Sequence, residues 1–372
     1  ADYPIAAQVV SVAAPEALSF IVVAVNVSLV MAWRKAAPEG RWAAVGQGVV
    51  FGVLALGFGY ARLADANDRP MEKIAVVQPM ISQQIRWDNP ANRPPLLAGM
   101  NRLIDRAAAE RPSMIVLPEA ALPALVRYEG DLAEFATNAV RRAGVPLLFG
   151  SVDRDDDGKV YNVAMKIGVN GDVASYRKQR LVPFVEHTPW PFHYTPPEGW
   201  AQFTPGTENT VMPLNTAVFF SVAMCLEDTY PDMGRAYAAR GADLLIAMVN
   251  TENFKDTNQG LAHLRRARLT AIASGLPLVR AANSGISCSI DAHGRMLGSL
   301  PKNAEAVAAL PVSVLSTGTF YDTVGDAGLF MALVLILAGE VWWLRLPERQ
   351  QTEMPTGKRA RKAPGRAIAV RG

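Results

Sequence analysis

The sequence predicts an α/β layered domain set between membrane-spanning helices, and three observations predict it. Between Met71 and Val314, short apolar runs rich in β-branched residues alternate with polar, helix-like stretches, the pattern of sheets covered by helices. Outside that region lie three long apolar stretches, two of them free of charge. Half of the 372 residues are apolar (50%). That is rich for a water-soluble chain and poor for one made only of membrane helices.

The first apolar stretch, "LSFIVVAVNVSLVMAW" (18–33), ends at Arg34 and Lys35. With the apolar residues before Pro15 it reaches the ~20 residues that cross a ~30 Å hydrocarbon core. The second, "WAAVGQGVVFGVLALGFGY" (42–60), has aromatics at both ends. Residues 1–62 thus read as two transmembrane helices joined by a short cytoplasmic loop, "RKAAPEGR", with three basic residues and one acid. The third stretch, "AGLFMALVLILAGEVWWL" (327–344), carries Glu340 beside Trp342 and Trp343, where a membrane interface is expected. Residues 345–372 hold eight Lys or Arg against two Glu; the remainder of the chain has 29 basic and 32 acidic residues. The basic excess is therefore a tail. Cationic flanks face the cytoplasm, so the loop and the tail lie there and residues 71–314 lie on the far side, the periplasm of a bacterium. The tail has no interleaved aromatics and follows a membrane-like segment, which argues against a nucleic-acid partner.

Within 71–314 the strand-like runs are "KIAVVQP", "SMIVLPE", "PLLFGSV", "YNVAMKIG", "TAVFFSVAMC", "LLIAMVN", "PLVRAAN" and "ISCSIDAHG". Near-continuous apolar runs of this kind are buried on both faces. Helices are expected over 95–111, 131–143, 233–240 and 259–274. Two cysteines make no disulfide framework, although one Cys225–Cys288 bond is compatible with the sequence. The four histidines show no metal-ligand spacing, and no cofactor is expected.

Three strand ends stand out. "MIVLPEAALP" finishes with Glu119, "SYRKQRLVPFVEH" carries Lys178 and Glu186, and "FFSVAMCLED" finishes with Cys225 followed by Glu227 and Asp228. Taken singly, Cys225 reads as a core residue, Glu119 as a loop-facing charge and Lys178 as a surface cation. Together they raise a physical question, because two adjacent carboxylates make a thiol harder to ionise. A lysine brought near Cys225 supplies the opposing charge and lowers the thiol pKa. A carboxylate from a third strand takes the proton and returns it. Thiol, acid/base and cation form a full set for acyl transfer through a thioester, with the cation also facing the oxyanion.

Those segments, in that order, resemble the nitrilase (carbon–nitrogen hydrolase) superfamily, and within it the apolipoprotein N-acyltransferase branch. "VQPMISQQIRWD", "LPEAALP", "YRKQRLVPFVEHTPW", "CLEDTYPD", "GLPLVRAANSGISCSIDAHG" and "LSTGTFYDTVGD" carry the likeness, which covers roughly residues 8 to 345. The resemblance implies an αββα sandwich. It also implies Glu119 as general base, Lys178 as stabiliser of oxyanion and thiolate, Cys225 as nucleophile, and Glu186 and Glu227 as supporting carboxylates. It further implies a bacterial inner-membrane enzyme. An acyl chain would pass from a phospholipid donor to Cys225 and then to the N-terminal amine of a lipoprotein or other protein. The sequence departs from the family where Leu226 follows the nucleophile, where Val185 replaces a glycine, and in "NTENF" (250–254). Three apolar stretches stand where the family usually has eight spans. The reduced form also resembles the conjugal-transfer TraB-type relatives, which would change the acceptor. A membrane-tethered carbon–nitrogen amidase is the alternative if water resolves the thioester, and the aromatic stretch 188–200 is the expected barrier to water. A catalytically silent assembly protein of a transfer apparatus is disfavoured by the presence of all three key residues. There is no G-x-S-x-G elbow, P-loop or dinucleotide fingerprint.

Overall fold

A computed structural model describes residues 3–34, 38–64, 72–82, 89–193, 202–252, 257–314, 317–328, 330 and 334. The chain divides into two units, Ala1–Asp326 and Ala327–Gly372. Of the second unit only four residues are described, so the third predicted span and the basic tail lie outside the described residues. So do residues 35–37 of the loop 34–41, the end of the aromatic stretch at 194–200, and Asn253 and Phe254.

A short helix α1 (Pro4–Ala7) precedes α2 (Val10–Arg34) and α3 (Pro38–Ala64). Inside α2 the backbone breaks at Ala13 and Ala14, immediately before Pro15. Proline lacks the N–H that would bond to the preceding turn, and its ring clashes with that turn's carbonyl. The uninterrupted helix therefore begins at Pro15, and from there to Arg34 it rises about 30 Å, the thickness of a hydrocarbon core. Both predicted N-terminal spans fall inside these helices, the two among the described residues that are long and apolar enough to cross a membrane. Gly48 lets α3 lie against α2, since a Cβ there would sit 3.0 Å from Cβ of Ser28. Small residues permit such close approach between membrane helices. Phe20 and Phe51 meet edge to face at 5.9 Å. The outward side chains of Val22, Val23, Leu29, Val53 and Leu54 are more than half exposed, a surface suited to lipid.

The rest of the first unit is two sheets with helices on their outer faces. It runs β1 (Glu72–Gln78), α4 (Arg93–Ala109), β2 (Met114–Val116), β3 (Leu122–Leu125), α5 (Gly130–Ala143), β4 (Leu147–Arg154), β5 (Val160–Ile167) and β6 (Val173–Arg177). Then come β7 (Val211–Pro213), β8 (Phe219–Met224), α6 (Pro231–Ala238), β9 (Leu244–Val249), α7 (Gln259–Ser274), β10 (Leu278–Ala282), β11 (Cys288–Ile290), β12 (Met296–Ser299), β13 (Ala306–Val312) and α8 (Phe320–Val324). One sheet has the order β13-β1-β2-β4-β5-β6 with β3 beside β4; the other has β12-β11-β10-β9-β8-β7. The strands at the centre of each pair in parallel, β1 with β2 and β8 with β9 with β10.

Strand alternation assigns the layers. Ile74 and Val76 of β1 point into the core between the sheets, where they join Val222, Met224, Leu244 and Ile246. Ala75 and Val77 point the other way, onto Leu103, Ile104 and Ala136 of α4 and α5. Met233, Tyr237, Leu264 and Ala267 of α6 and α7 cover the second sheet. The order is helix, sheet, sheet, helix, as the family resemblance implies. Residues of α1 and α2 pack on Ile272 and Ala273 of α7 and on Tyr321 of α8, so the N-terminal apolar helices and the sandwich share a small core.

The four expected helices are present with ends shifted by at most two residues, and all eight strand-like runs contain strands. The run 286–294 is a strand only over Cys288–Ile290, after which the chain turns. Strands β3, β7, β12 and β13 have no counterpart among those runs, and β6 is anticipated only as the strand end before Lys178. Both cysteines are free thiols, so the bond between Cys225 and Cys288 is not made.

Candidate active site

Glu119 sits just past the end of β2, on a segment laid directly across β4. Gly150 makes that possible: a Cβ there would lie 2.5 Å from the backbone nitrogen of Ala120 and 2.7 Å from Cα of Glu119. These are main-chain atoms, which cannot swing aside. Gly150→Ala is therefore expected to destabilise the domain by about 1–3 kcal/mol, the cost of overpacking, and to displace the Glu119 carboxylate. Thermal unfolding and the labelling rate described below measure both.

Lys178 follows β6, and its side chain is 1% exposed. A buried ammonium must be paired, and this one donates to Oε1 of Glu119 at 3.0 Å and to Oε1 of Glu186 at 2.9 Å. The Nδ2 group of Asn162, on β5, donates to the same two oxygens, each at 3.0 Å. Glu186 is fixed at its other oxygen by the backbone N–H of Val182 at 2.8 Å. Lys178 and Asn162 thus clamp two carboxylates from separate segments.

Cys225 is the first residue after β8, partly buried, with the left-handed φ of 53°. That conformation crowds a Cβ against the backbone and is uncommon for a residue other than glycine. The turn is tied down by Glu227, whose carboxylate accepts four hydrogen bonds. One oxygen takes the backbone N–H groups of Gln179 and Arg180 at 2.7 and 2.9 Å; the other takes the N–H of Met224 at 2.7 Å and the hydroxyl of Tyr176 at 2.9 Å. Glu227 therefore ties the segment carrying Lys178 to the strand carrying Cys225. Burial still pushes its pKa up, against the pull of those backbone donors.

Electrostatics at the thiol depart from the sequence expectation. Burial raises the Cys225 pKa most, Glu119 raises it further, Lys178 pulls it down, and Asp228 and Glu186 add to the rise. The net is a thiol well above its ordinary range. Lys178 does act in the predicted direction, but its single charge is divided between two carboxylates. Burial also works to strip Lys178 of its proton. Glu119 offsets that most, Glu186 and, once ionised, the Cys225 sulfur add to it, and the Lys178 pKa is raised. The resting site therefore holds a neutral thiol beside a firmly protonated lysine.

Of the five residues singled out from sequence, Glu119, Lys178 and Glu186 are joined directly by hydrogen bonds. Glu227 secures the loops of Lys178 and Cys225, and Cys225 lies within the electrostatic reach of Glu119, Lys178 and Glu186. Sequence reasoning passed over Asn162 and Tyr176. The legible signal for Asn162 was an amide inside the apolar run "YNVAMKIG", where a buried polar group needs partners. Among the described residues no group of three or more His, Cys, Asp or Glu is arranged to hold a metal.

Comparison with known proteins bears on the family and the fold. The carbon-nitrogen hydrolase family profile matches residues 73–317. The apolipoprotein N-acyltransferase of Geobacter metallireducens is 30% identical over 332 residues, 86% of this chain and 63% of that protein. The enzyme of the same name from Brucella melitensis is 32% identical over 292 residues, 72% of this chain and 54% of that protein. The chain thus spans little more than half the length of these curated relatives. An amidase from Nesterenkonia sp. superposes with a TM-score of 0.52 at 19% identity, over 71% of this chain and 97% of that one. A carbon-nitrogen hydrolase from Helicobacter pylori gives 0.51 at 19%, over 65% and 89%. These two likenesses concern the fold. No conjugal-transfer protein stands among these relatives, and nothing in them supports that branch of the resemblance. With a profile match across the whole sandwich and the same fold in solved structures, the chain belongs to the carbon–nitrogen hydrolase family.

Proposed function

We propose that the protein is a membrane-bound N-acyltransferase that carries an acyl chain on Cys225. The single observation that carries this reading is the Lys178 ammonium, buried and shared between Glu119 and Glu186 beside a thiol, on a domain seated against apolar helices. The thiol of Cys225 attacks the ester carbonyl of a phospholipid while Glu119 accepts its proton. Lys178 faces the oxygen that becomes negative in the tetrahedral intermediate. Collapse of that intermediate breaks the carbon–oxygen bond, and Glu119 returns the proton to the departing lysophospholipid alkoxide. An amine, the N-terminus of a lipoprotein or other protein, then attacks the thioester. Glu119 takes the amine's proton, the amide forms, and Cys225 leaves and is reprotonated.

An amine outcompetes water only if water is kept away. The mouth of the site offers apolar cover: Phe184 and Phe192 meet edge to face at 5.5 Å, Val185 and Leu226 are exposed, and Trp190 is 91% exposed. An exposed tryptophan suits a membrane interface. In this reading Glu186 and Glu227 hold the site together, the sandwich lies in the periplasm, the basic tail lies in the cytoplasm, and both substrates reach Cys225 from the bilayer.

The test is to incubate the bilayer-embedded protein with phospholipid labelled in its acyl chain. The expected result is hydroxylamine-labile label mapped by mass spectrometry to Cys225 and absent from buried Cys288. Label should leave on addition of a peptide with a free N-terminal amine and appear on that peptide as an amide. Release as free fatty acid at the same rate with and without the peptide would make water the acceptor. No label on Cys225 would sink the reading.

A further inference from the structure

We propose that His263 is a positioning residue for Cys225, acting through the nucleophile's main chain and not through its sulfur. This deepens the acyl-transfer reading, and one of its two tests is independent of that reading.

Something must hold Cys225 at its φ of 53°. Its carbonyl oxygen lies 3.2 Å from Nε2 of His263, on α7. The same Nε2 is 2.6 Å from Oδ1 of Asp228. A carbonyl and a carboxylate both accept hydrogen bonds, so Nε2 bears a proton and serves the two together. The other carboxylate oxygen of Asp228 pairs with Nη1 of Arg280, on β10. Asp228 is fully buried and Arg280 is 2% exposed. A continuous link therefore runs from the middle of the second sheet through Arg280, Asp228 and His263 to a single peptide group.

That peptide is the one after Cys225. It is planar and trans, so fixing the direction of its C=O fixes the opposed N–H of Leu226 and the orientation of the Cys225 Cα. The sulfur is bonded to Cβ, so one rotatable bond, Cα–Cβ, separates it from the main chain. The main-chain setting thus decides whether it projects toward Glu119 and Lys178. Asp228 has Arg280 as partner with or without the imidazole, so satisfying Asp228 does not by itself require His263. The carbonyl of Cys225 is the contact that only His263 supplies among the hydrogen bonds of these three side chains.

The test uses the full chain in lipid nanodiscs with three substitutions. His263→Phe keeps the ring and removes the donor. His263→Gln places an amide nitrogen near the Nε2 position. His263→Asn withdraws that amide by one methylene. Iodoacetamide alkylation, read at Cys225 by mass spectrometry, reports the thiol without any acyl substrate. Phe and Asn are expected to slow it by about tenfold or more, on the scale set by an ångström of misplacement, and Gln to restore it to within about threefold. In the acyl-labelling assay Phe is expected to lower kcat with KM unchanged, and Gln to recover it. Alkylation of the Phe and Asn variants at the wild-type rate, or Gln no better than Asn, overturns the proposal. If the wild type takes no acyl chain, the acyl-transfer reading fails while the alkylation series still decides the role of His263.

Discussion

Lys178→Met is expected to lower the rate of acyl-thioester formation by about a thousandfold and to destabilise the domain by about 3–5 kcal/mol. The first effect follows from the position of the ammonium. A donor aimed at a developing oxyanion is worth about 3–4 kcal/mol of barrier, and methionine matches the length of lysine without its charge. The second effect follows from what the substitution leaves behind. Glu119 and Glu186 are both buried, and their Oε1 atoms share Lys178 and Asn162 as donors. Without the cation, two carboxylates face one amide, and an uncompensated buried charge is costly. The sign of the pH dependence is fixed by the raised Lys178 pKa. The folded state holds this proton more tightly than the unfolded chain, whose value is about 10.4. The lysine's contribution is therefore complete below about pH 10 and fades as pH rises through the folded value. Denaturant unfolding of the wild type and the variant at pH 7 and pH 9 should give the same gap in stability from this source. An unchanged midpoint in the variant would mean that the carboxylates find other partners.

How much of this was legible depends on what each element depends on. Strands β9 and β10 are buried on both faces, and their near-continuous apolar runs, broken only by Arg280, announce that directly. Helix α7 announces itself by its period. By contrast β13 reads "AVAALPV", three alanines and a proline among seven residues, a composition with weak strand preference. It is a strand because β1 pairs with it along seven consecutive positions, Glu72 opposite Val312 through Gln78 opposite Ala306, and long-range pairing leaves no local trace. Two strand ends of the site were visible because Glu119 and Cys225 each end an apolar run; Lys178 sits among Arg177, Gln179 and Arg180 and gained meaning only beside those two. Their grouping is a property of the sheet order, which puts β2 three strands from β6 and brings β8 across from the other sheet. Asn162 and His263 escaped notice for the same reason. On the sequence, His263 is a polar residue on an amphipathic helix; only the fold places it against the Cys225 carbonyl.

The sign of the thiol shift was the part least accessible to sequence. A lysine near a cysteine ordinarily lowers its pKa, and charge counting along the chain cannot tell how that lysine is already engaged. In the folded protein the ammonium is committed to two carboxylates, so the sulfur meets a cluster with two acids for one base in a largely buried setting. A neutral resting thiol avoids reaction with passing electrophiles. It also makes proton removal part of the acylation step, which places the demand on Glu119.

Glu119→Gln should therefore drive two reactions of the same sulfur in opposite directions. Glutamine keeps an oxygen able to accept from Lys178 and Asn162, so the clamp survives while one negative charge disappears. Glu119 is the largest charge raising the Cys225 pKa. Its removal lets Lys178 weigh more heavily, and the thiol pKa falls. Alkylation by iodoacetamide needs only the thiolate, so its pH profile should move to lower pH and its rate at neutral pH should rise. Acylation by phospholipid needs a group that accepts the thiol proton and returns it to the leaving alkoxide, and an amide does neither. Its rate should fall by about 10²–10⁴-fold, the usual worth of a positioned acid/base. Measured together, the two rates separate charge from proton transfer. Acylation that persists at the wild-type rate would remove Glu119 from the base role. Alkylation that slows along with acylation would show that the carboxylate does not hold the thiol proton in place, and the account of a neutral resting nucleophile would fall with it.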